Sequence, residues 1–399
     1  MKYSVFYILL FFLLLTSSCG NKTQEVNQYV VDVDSLFIDL DAPFVARRAV
    51  DADNFFSKMA NCGMNGTVFY AEQGKVVYEN AFGYRKLTGR HRDSLRVDDA
   101  FQLSSDSKMF TAEAVMILYA QGKLDYDDDV RKYIPELPYE GVTIRHLLNH
   151  RSGLPRYDSM ADEFWPDRTK PFSNEAMIKM LAEKKPERYA APDITYFYNN
   201  INYALLASVV ERVSGQHFED FMHDHIFEPL GMNHSYIYSM RSDTAVSLFM
   251  DTPVQGHTMY RRGPEVMQND YLNGVMGDKI MFSTVDDIHK FLFALETNQL
   301  LPDSIQSEAF VPGSTAWKHD ENYGFGWRMS HEHPNSLYHF GWWKGYRSAI
   351  ICDVALNREL IVLTNTTQNI SSEMLWDFIS DTTHQLPAVS FTTSLNPIP

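Results

Sequence analysis

Cysteine is scarce in this sequence, with three residues in a chain of 399. That excludes a disulfide-stapled scaffold, and no Cys/His spacing has the form of a zinc site. Cys62 and Cys352 fall in or beside segments that read as strands, and both are expected as buried free thiols. No G-x-S-x-G occurs, so the strained serine elbow of the α/β-hydrolases is missing. Positive charge is also in short supply. Lysine and arginine number 35 against 51 aspartates and glutamates, for a formal net charge of −16. Such a chain repels phosphate backbones, which argues against nucleic-acid binding. There is no internal repeat. Residues 5–15 form an unbroken apolar run, too short to span a bilayer comfortably.

That run follows Lys2 and precedes Thr16, Ser17, Ser18 and Cys19. A basic start, an apolar stretch and small residues make up a secretory signal. The version here resembles a bacterial lipoprotein signal, in which the cysteine is lipidated and becomes the mature N-terminus. Residues 1–18 are therefore expected to be removed and Cys19 to carry the lipid. Residues 19–44, polar and mixed, read as a tether. An ordinary cleaved signal would also export the chain. The expected location is the bacterial cell envelope or periplasm, with the lipid as the only membrane attachment.

Residues 45–380 read as one large unit and 381–399 as a loose tail. A helical pattern covers 45–60, and strands are expected at 66–70 and 75–81 around a Glu72-Gln73-Gly74 turn. Residues 125 to about 300 read as mostly helical, with helices at 143–149, 174–183, 202–214, 218–226 and 285–295. Strands return at 323–329, 337–340, 348–354 and 359–364, and Ser371 can cap a last helix. Strands at both ends with helices between them point to an α+β fold. One antiparallel sheet would form from both chain ends, flanked by terminal helices, with a mostly helical insertion.

Ser105 is the only serine with a lysine three positions on. The pair opens a segment, 101–120, whose helix is apolar on nearly every side and so belongs in a core. Gly122 closes it. Residues three apart on a helix share a face, so Lys108 can lie beside the Ser105 oxygen. A serine hydroxyl needs such a neighbour to take its proton before it becomes a nucleophile. The positive end of the helix dipole and burial both favour the neutral, proton-accepting form of a lysine there.

Two other features line up with Ser105. Tyr198-Asn199-Asn200 leads into a patterned helix, unlike the Y-x-N triplets at Tyr78 and Tyr271. A phenol there can shuttle a proton, and an amide can bind a substrate carbonyl. A packed tyrosine and a capping asparagine would leave the same trace. His339-Phe340-Gly341 is the only H-x-G, on an expected strand. Its glycine would let a substrate approach closely, and the next N–H could serve an oxyanion. Leu147-Leu148-Asn149-His150-Arg151-Ser152-Gly153-Leu154-Pro155 reads as a helix end and turn, with no catalysis implied.

Together, S-x-x-K, Y-x-N and H-x-G in that order resemble the serine β-lactamase and penicillin-binding-protein superfamily. The nearest branch is the class C β-lactamase, DD-peptidase and esterase group. The phrases AFGY at 81–84, LLNHRSGLP at 147–155, IFEPLGMNHS at 226–235, GDKIMFSTVDDIHKF at 277–291 and YGFGW at 323–327 resemble that branch too. The resemblance implies an exported serine hydrolase with Ser105 as the acylated nucleophile. Lys108 and Tyr198 would share the acid–base work, in either order. Asn200 would contact substrate, His339 and Gly341 would edge the pocket, and Ser105 and Trp342 would supply oxyanion N–H groups. No metal or organic cofactor is implied.

One departure bears on substrate. No K-[ST]-G occurs, and penicillin-recognising relatives use that lysine and hydroxyl to hold a carboxylate. His339 and Phe340 stand there instead, with Trp342 and Trp343 following. The expected activity is therefore that of an esterase, an amidase or a D-Ala-type peptidase. A class C-like β-lactamase and a non-catalytic cell-wall sensor are the alternatives. Arg347 could bind a carboxylate but reads better as a surface charge. The Asp125–129 run lacks the glycine of a calcium loop and reads as a solvated turn.

Overall fold

The computed structural model describes residues 43–89, 92–240, 252–315, 321–368 and 370–381. The expected signal, Cys19, nearly all of the tether and the tail beyond Asp381 lie outside these residues. No described helix is long and apolar enough to cross a membrane.

The chain opens with α1 (Pro43–Asn61), β1 (Gly66–Glu72), β2 (Lys75–Phe82), β3 (Phe101–Gln102) and α2 (Ser107–Ala120). The middle carries α3 (Ile144–Leu148), α4 (Tyr157–Phe164), α5 (Asn174–Lys184), α6 (Asn200–Ser214) and α7 (Phe218–Met222). Next come β4 (Tyr236–Ile237), β5 (His257–Tyr260), β6 (Gly263–Val266), β7 (Met281–Ser283), α8 (Val285–Glu296) and α9 (Asp303–Gln306). The chain then returns through β8 (Glu321–Tyr323), β9 (Arg328–Ser330), β10 (Ser336–Trp343), β11 (Tyr346–Asp353), β12 (Arg358–Thr364) and α10 (Ser372–Ser380).

Seven strands form one antiparallel sheet in the order β2-β1-β12-β11-β10-β9-β8. Both chain ends contribute, as the strand pattern implies. Period-two alternation divides the side chains between two cores. Val68 and Tyr70 of β1 pack with Phe56 of α1 and Phe378 of α10 on the back face. Phe69 faces the larger front core, which contains α2 and α6. A buried ion network helps join the termini. Arg358 bonds Glu72 at 3.0 Å and Arg48 donates to the Phe378 carbonyl at 2.9 Å.

Four local expectations are corrected. Residues 323–329 are not one strand. Gly326, at φ +87°, turns the chain so closely over α2 that a β-carbon would meet Met109 Cα at 2.8 Å. The result is the β8–β9 hairpin. Cys62 is exposed just beyond α1, not buried, because its strand begins four residues later; Cys352 on β11 is partly buried, and both are free. The 218–226 helix is α7 followed by a π-turn at His223–Phe227. The insertion also carries short strands that periodicity does not reveal, with β7 between β3 and β4 and a β5–β6 hairpin.

Candidate active site

Ser105 sits in a single 3-10 turn, Ser104–Asp106, that leads directly into α2. Ser104 has φ +53°, a left-handed conformation costly for a residue with a β-carbon. The turn is held from outside. Ser348 Oγ donates to Leu103 O at 2.8 Å, and Leu103 N–H donates to Met281 O at 2.8 Å. The half-buried Ser105 is therefore presented on a constrained turn with a helix behind it.

Lys108 is fully buried. Its Nζ donates to Asp278 O at 2.8 Å and lies 3.2 Å from Ser105 Oγ. Asp278 is fixed in turn, since Tyr157 OH donates to its carboxylate at 2.6 Å and Lys279 lies 3.1 Å away. Lys108 Nζ also stands 5.0 Å from the centre of the Tyr198 ring. One lysine thus links the nucleophile, the segment before β7 and the residue that opens the approach to α6.

Tyr198 and Asn200 flank Asn199, the N-cap of α6. The Asn199 side chain accepts from Ile201 N–H and donates to Leu154 O at 2.8 Å. Asn199 N–H reaches His150 Nδ1 at 3.2 Å, Asn202 Nδ2 reaches the same nitrogen at 2.9 Å, and Phe197 N–H donates to His150 O. The His150 ring lies 4.3 Å from the Tyr198 ring. Residues 147–155, read above as a plain turn, are the scaffold that holds Tyr198. The buried Tyr198 hydroxyl and Asn200 Oδ1 have no hydrogen-bond partner among the described residues, which leaves both free to meet a ligand.

His339 lies deeper than expected. It is fully buried, with Nδ1 3.1 Å from Asp106 Oδ1 and Nε2 3.0 Å from Tyr323 OH. It lines the site from behind and does not edge it. Burial, then Arg328, Lys108 and His150, hold its pKa well below that of an ordinary histidine. Gly341 is tight for a reason other than substrate approach. A β-carbon there would lie 2.3 Å from Leu103 O and 3.0 Å from Ser104 Cβ, so the glycine admits the chain's own nucleophile turn.

Trp342 is 63% exposed, and its backbone is placed for use. Lys344 and Gly345 both have positive φ, giving a two-residue hairpin turn between Trp343 and Tyr346. In that geometry Trp343 and Gly341 bond to β11, and the intervening Trp342 N–H points to the outer edge. On that edge β9 pairs with β10 at Tyr338 only. From Phe340 to Trp343 no described strand covers it. Ser105 lies at the first turn of its helix, where N–H groups lack an intrahelical acceptor.

Arg328 is the residue that motif reading missed. Its guanidinium lies 4.4 Å from the Tyr198 ring centre, and its ion-pair partner is the exposed Glu321 at 3.7 Å. It follows directly on the YGFGW phrase, which was the available signal. Arg347 is not part of the site. It occupies the opposite face of β11 from Ser348, donates to Thr367 O and lies against Trp342. The Asp125–129 carboxylates serve local capping and ion pairs, including Asp129 to Arg131 N–H and Asp128 to Lys132.

A helix-borne serine and lysine, faced by a tyrosine and bordered by an open sheet edge, define a class of serine hydrolase. The Beta-lactamase family profile matches residues 52–382, and the chain belongs to that family. It is a serine hydrolase of the β-lactamase and penicillin-binding-protein superfamily. Penicillin-binding protein 4* of Bacillus subtilis is 33% identical over 317 residues, spanning 77% of this chain and 70% of the relative. N-acetylmuramyl-L-alanine amidase of the same organism is 24% identical over 81% of this chain and 82% of its own. Among solved structures, a penicillin-binding protein from Bacillus halodurans superposes with a TM-score of 0.69 at 22% identity, covering 79% of this chain and 95% of that one. The D-amino acid amidase of Ochrobactrum anthropi gives 0.66 at 20%, covering 83% and 95%. The fold is therefore that of the β-lactamases and penicillin-binding proteins.

Proposed function

We propose that the protein hydrolyses an amide or ester through an acyl-enzyme on Ser105, and that it does so outside the cytoplasm, held to a membrane by a lipid on Cys19. The observation that carries the chemistry is the Lys108 contact, 3.2 Å to Ser105 Oγ with a second bond to Asp278 O. The Ser105 proton leaves along that contact as Oγ attacks the substrate carbonyl. Charge building on the carbonyl oxygen meets the N–H groups of Ser105 and Trp342. The tetrahedral intermediate collapses with loss of the amine or alcohol, which takes up a proton through Tyr198. Water then attacks the ester, the same groups accept its proton, and the acid leaves as Ser105 regains its hydrogen.

The open edge of β10 suits an extended, peptide-like acyl donor, since a backbone can pair there as an added strand. Arg328 supplies a cation for a terminal carboxylate. A D-amino-acid terminus is the substrate end that the resemblance to penicillin-binding proteins implies, and an amide bond accords with the relative named N-acetylmuramyl-L-alanine amidase. Efficient β-lactam hydrolysis is not expected, because Phe340 offers no side-chain hydrogen bond where K-[ST]-G enzymes have a hydroxyl. The test is a panel of D-Ala-D-Ala peptides, D-amino acid amides, short esters and β-lactams, run with Ser105→Ala beside the wild type. Ser105-dependent turnover of an amide, peptide or ester is the predicted result. Turnover of β-lactams alone would overturn the substrate assignment.

A further inference from the structure

Asp106 follows the nucleophile in sequence, yet its side chain points away from solvent and touches a strand 233 residues further on. Asp106 and His339 are both 0% exposed. The contact adds to two other ties between the Ser105 turn and the sheet, namely the Ser348–Leu103 bond and the gap that Gly341 leaves under Ser104. The far nitrogen of His339 reaches Tyr323, whose ring centre is 5.9 Å from that of Tyr198. A continuous chain therefore runs from the residue beside Ser105, through the strand that carries Trp342, to the neighbour of the site tyrosine.

We propose that Asp106 and His339 are a positioning pair, which locks the Ser105 turn against β10 and sets the hydrogen-bond direction of the Tyr323 hydroxyl. This rests on the acyl-enzyme reading above and adds to it a role for two buried residues that contact no substrate. With Asp106 ionised, His339 Nδ1–H is shared between Oδ1 at 3.1 Å and the Phe340 carbonyl at 3.2 Å, and Nε2 accepts from Tyr323 O–H. The Tyr323 oxygen then keeps its lone pairs for its other neighbours. With Asp106 protonated, the carboxyl donates to Nδ1, the imidazole proton sits on Nε2, and Nε2–H donates to the Tyr323 oxygen. One proton is gained at the carboxyl and one moves across the ring, with His339 neutral throughout. The ionised arrangement is the working one, because it leaves Tyr323 anchored as a donor.

The surroundings place the changeover near neutrality. Burial raises the Asp106 pKa to about 7, while Ser348 of β11, Lys108 of α2 and Arg328 of β9 act in the opposite direction. His339 is kept neutral by burial and by Arg328, Lys108 and His150. Tyr198 before α6 and Tyr323 of β8 complete the groups that face the pair.

The test uses the full chain with p-nitrophenyl butyrate as the probe ester. Asp106→Ala should lower kcat by about 10- to 100-fold, the scale of misplaced reacting groups, with KM changed less than about threefold. Asp106→Asn can both donate and accept. It should keep kcat within a few-fold and flatten the limb near pH 7 through which wild-type activity rises. Independently of turnover, ¹⁵N-histidine NMR should show His339 passing from the Nε2–H to the Nδ1–H tautomer as pH rises through 7. An Asp106→Ala enzyme with unchanged kcat and pH limb would overturn the proposal. So would a loss matched by loss of folded protein in thermal melts, or a single His339 tautomer from pH 5.5 to 8.5. Wild-type protein without Ser105-dependent turnover would instead refute the acyl-enzyme reading, with the NMR result still deciding the pair.

Discussion

A β-carbon on Gly341 would stand 3.0 Å from the β-carbon of Ser104, so strand β10 and the nucleophile turn are packed to the limit of backbone contact. The spacing between Ser105 and the Trp342 N–H depends on that limit. Gly341→Ala must push the two elements apart, since the nearest atom besides the Ser348 hydroxyl is a backbone oxygen, Leu103 O, at 2.3 Å. Overpacking of this kind costs about 1–3 kcal/mol. The expected outcome is a folded protein with a lowered melting temperature and an acylation rate reduced at least ~10-fold, as shifts of about an ångström produce. Stopped-flow acylation with a chromogenic ester, beside a thermal melt, checks it.

Arg328 should discriminate between substrates that end in a carboxylate and those that do not. Losing a charge-assisted bond of about 1.5–3 kcal/mol corresponds to roughly 10- to 100-fold in kcat/KM. Arg328→Gln is predicted to lose that much on a D-amino-acid-terminated peptide and much less on its C-terminal amide. Equal losses on both would mean that Arg328 acts only by packing on Tyr198.

Glu113 gives a stability prediction away from the chemistry. It is buried on α2, with Gln306 donating to it at 3.2 Å. Burial raises its pKa to about 7 from 4.5. A raised carboxyl pKa means that the folded state resists ionisation. The penalty is absent below about pH 4.5, grows as pH rises, and is complete above 7. It amounts to about 3 kcal/mol by the usual conversion of pKa to free energy. Glu113→Gln should therefore raise the melting temperature more at pH 8 than at pH 5. Equal shifts at the two pH values would contradict this.

What sequence reveals and hides here follows from how local each cause is. The S-x-x-K pair and its helix are one turn of one segment, so Ser105, Lys108 and the burial of α2 are readable directly. The Ser371 cap is equally local, and its hydroxyl accepts from Met374 N–H as the pattern implies. The β8–β9 hairpin was hidden because Gly326 turns against α2, a partner far away in sequence. Arg328 reaches Tyr198 only because β9 pairs with β10 at Tyr338. The depth of His339 depends on Asp106, and neither residue's neighbours in sequence announce the other. Motifs gave the groups of the site, and long-range packing decided which of them face a substrate.

The most direct test of the central claim is covalent labelling. The purified chain would be treated with a fluorophosphonate and with a fluorescent penicillin, then digested and analysed by mass spectrometry. A single fluorophosphonate adduct is predicted on the peptide carrying Ser105, absent in Ser105→Ala and formed at least ~100-fold more slowly in Lys108→Ala, the scale for loss of an acid–base group. Folded wild-type protein with no Ser105 adduct from either reagent, or with an adduct that survives Ser105→Ala, would contradict it.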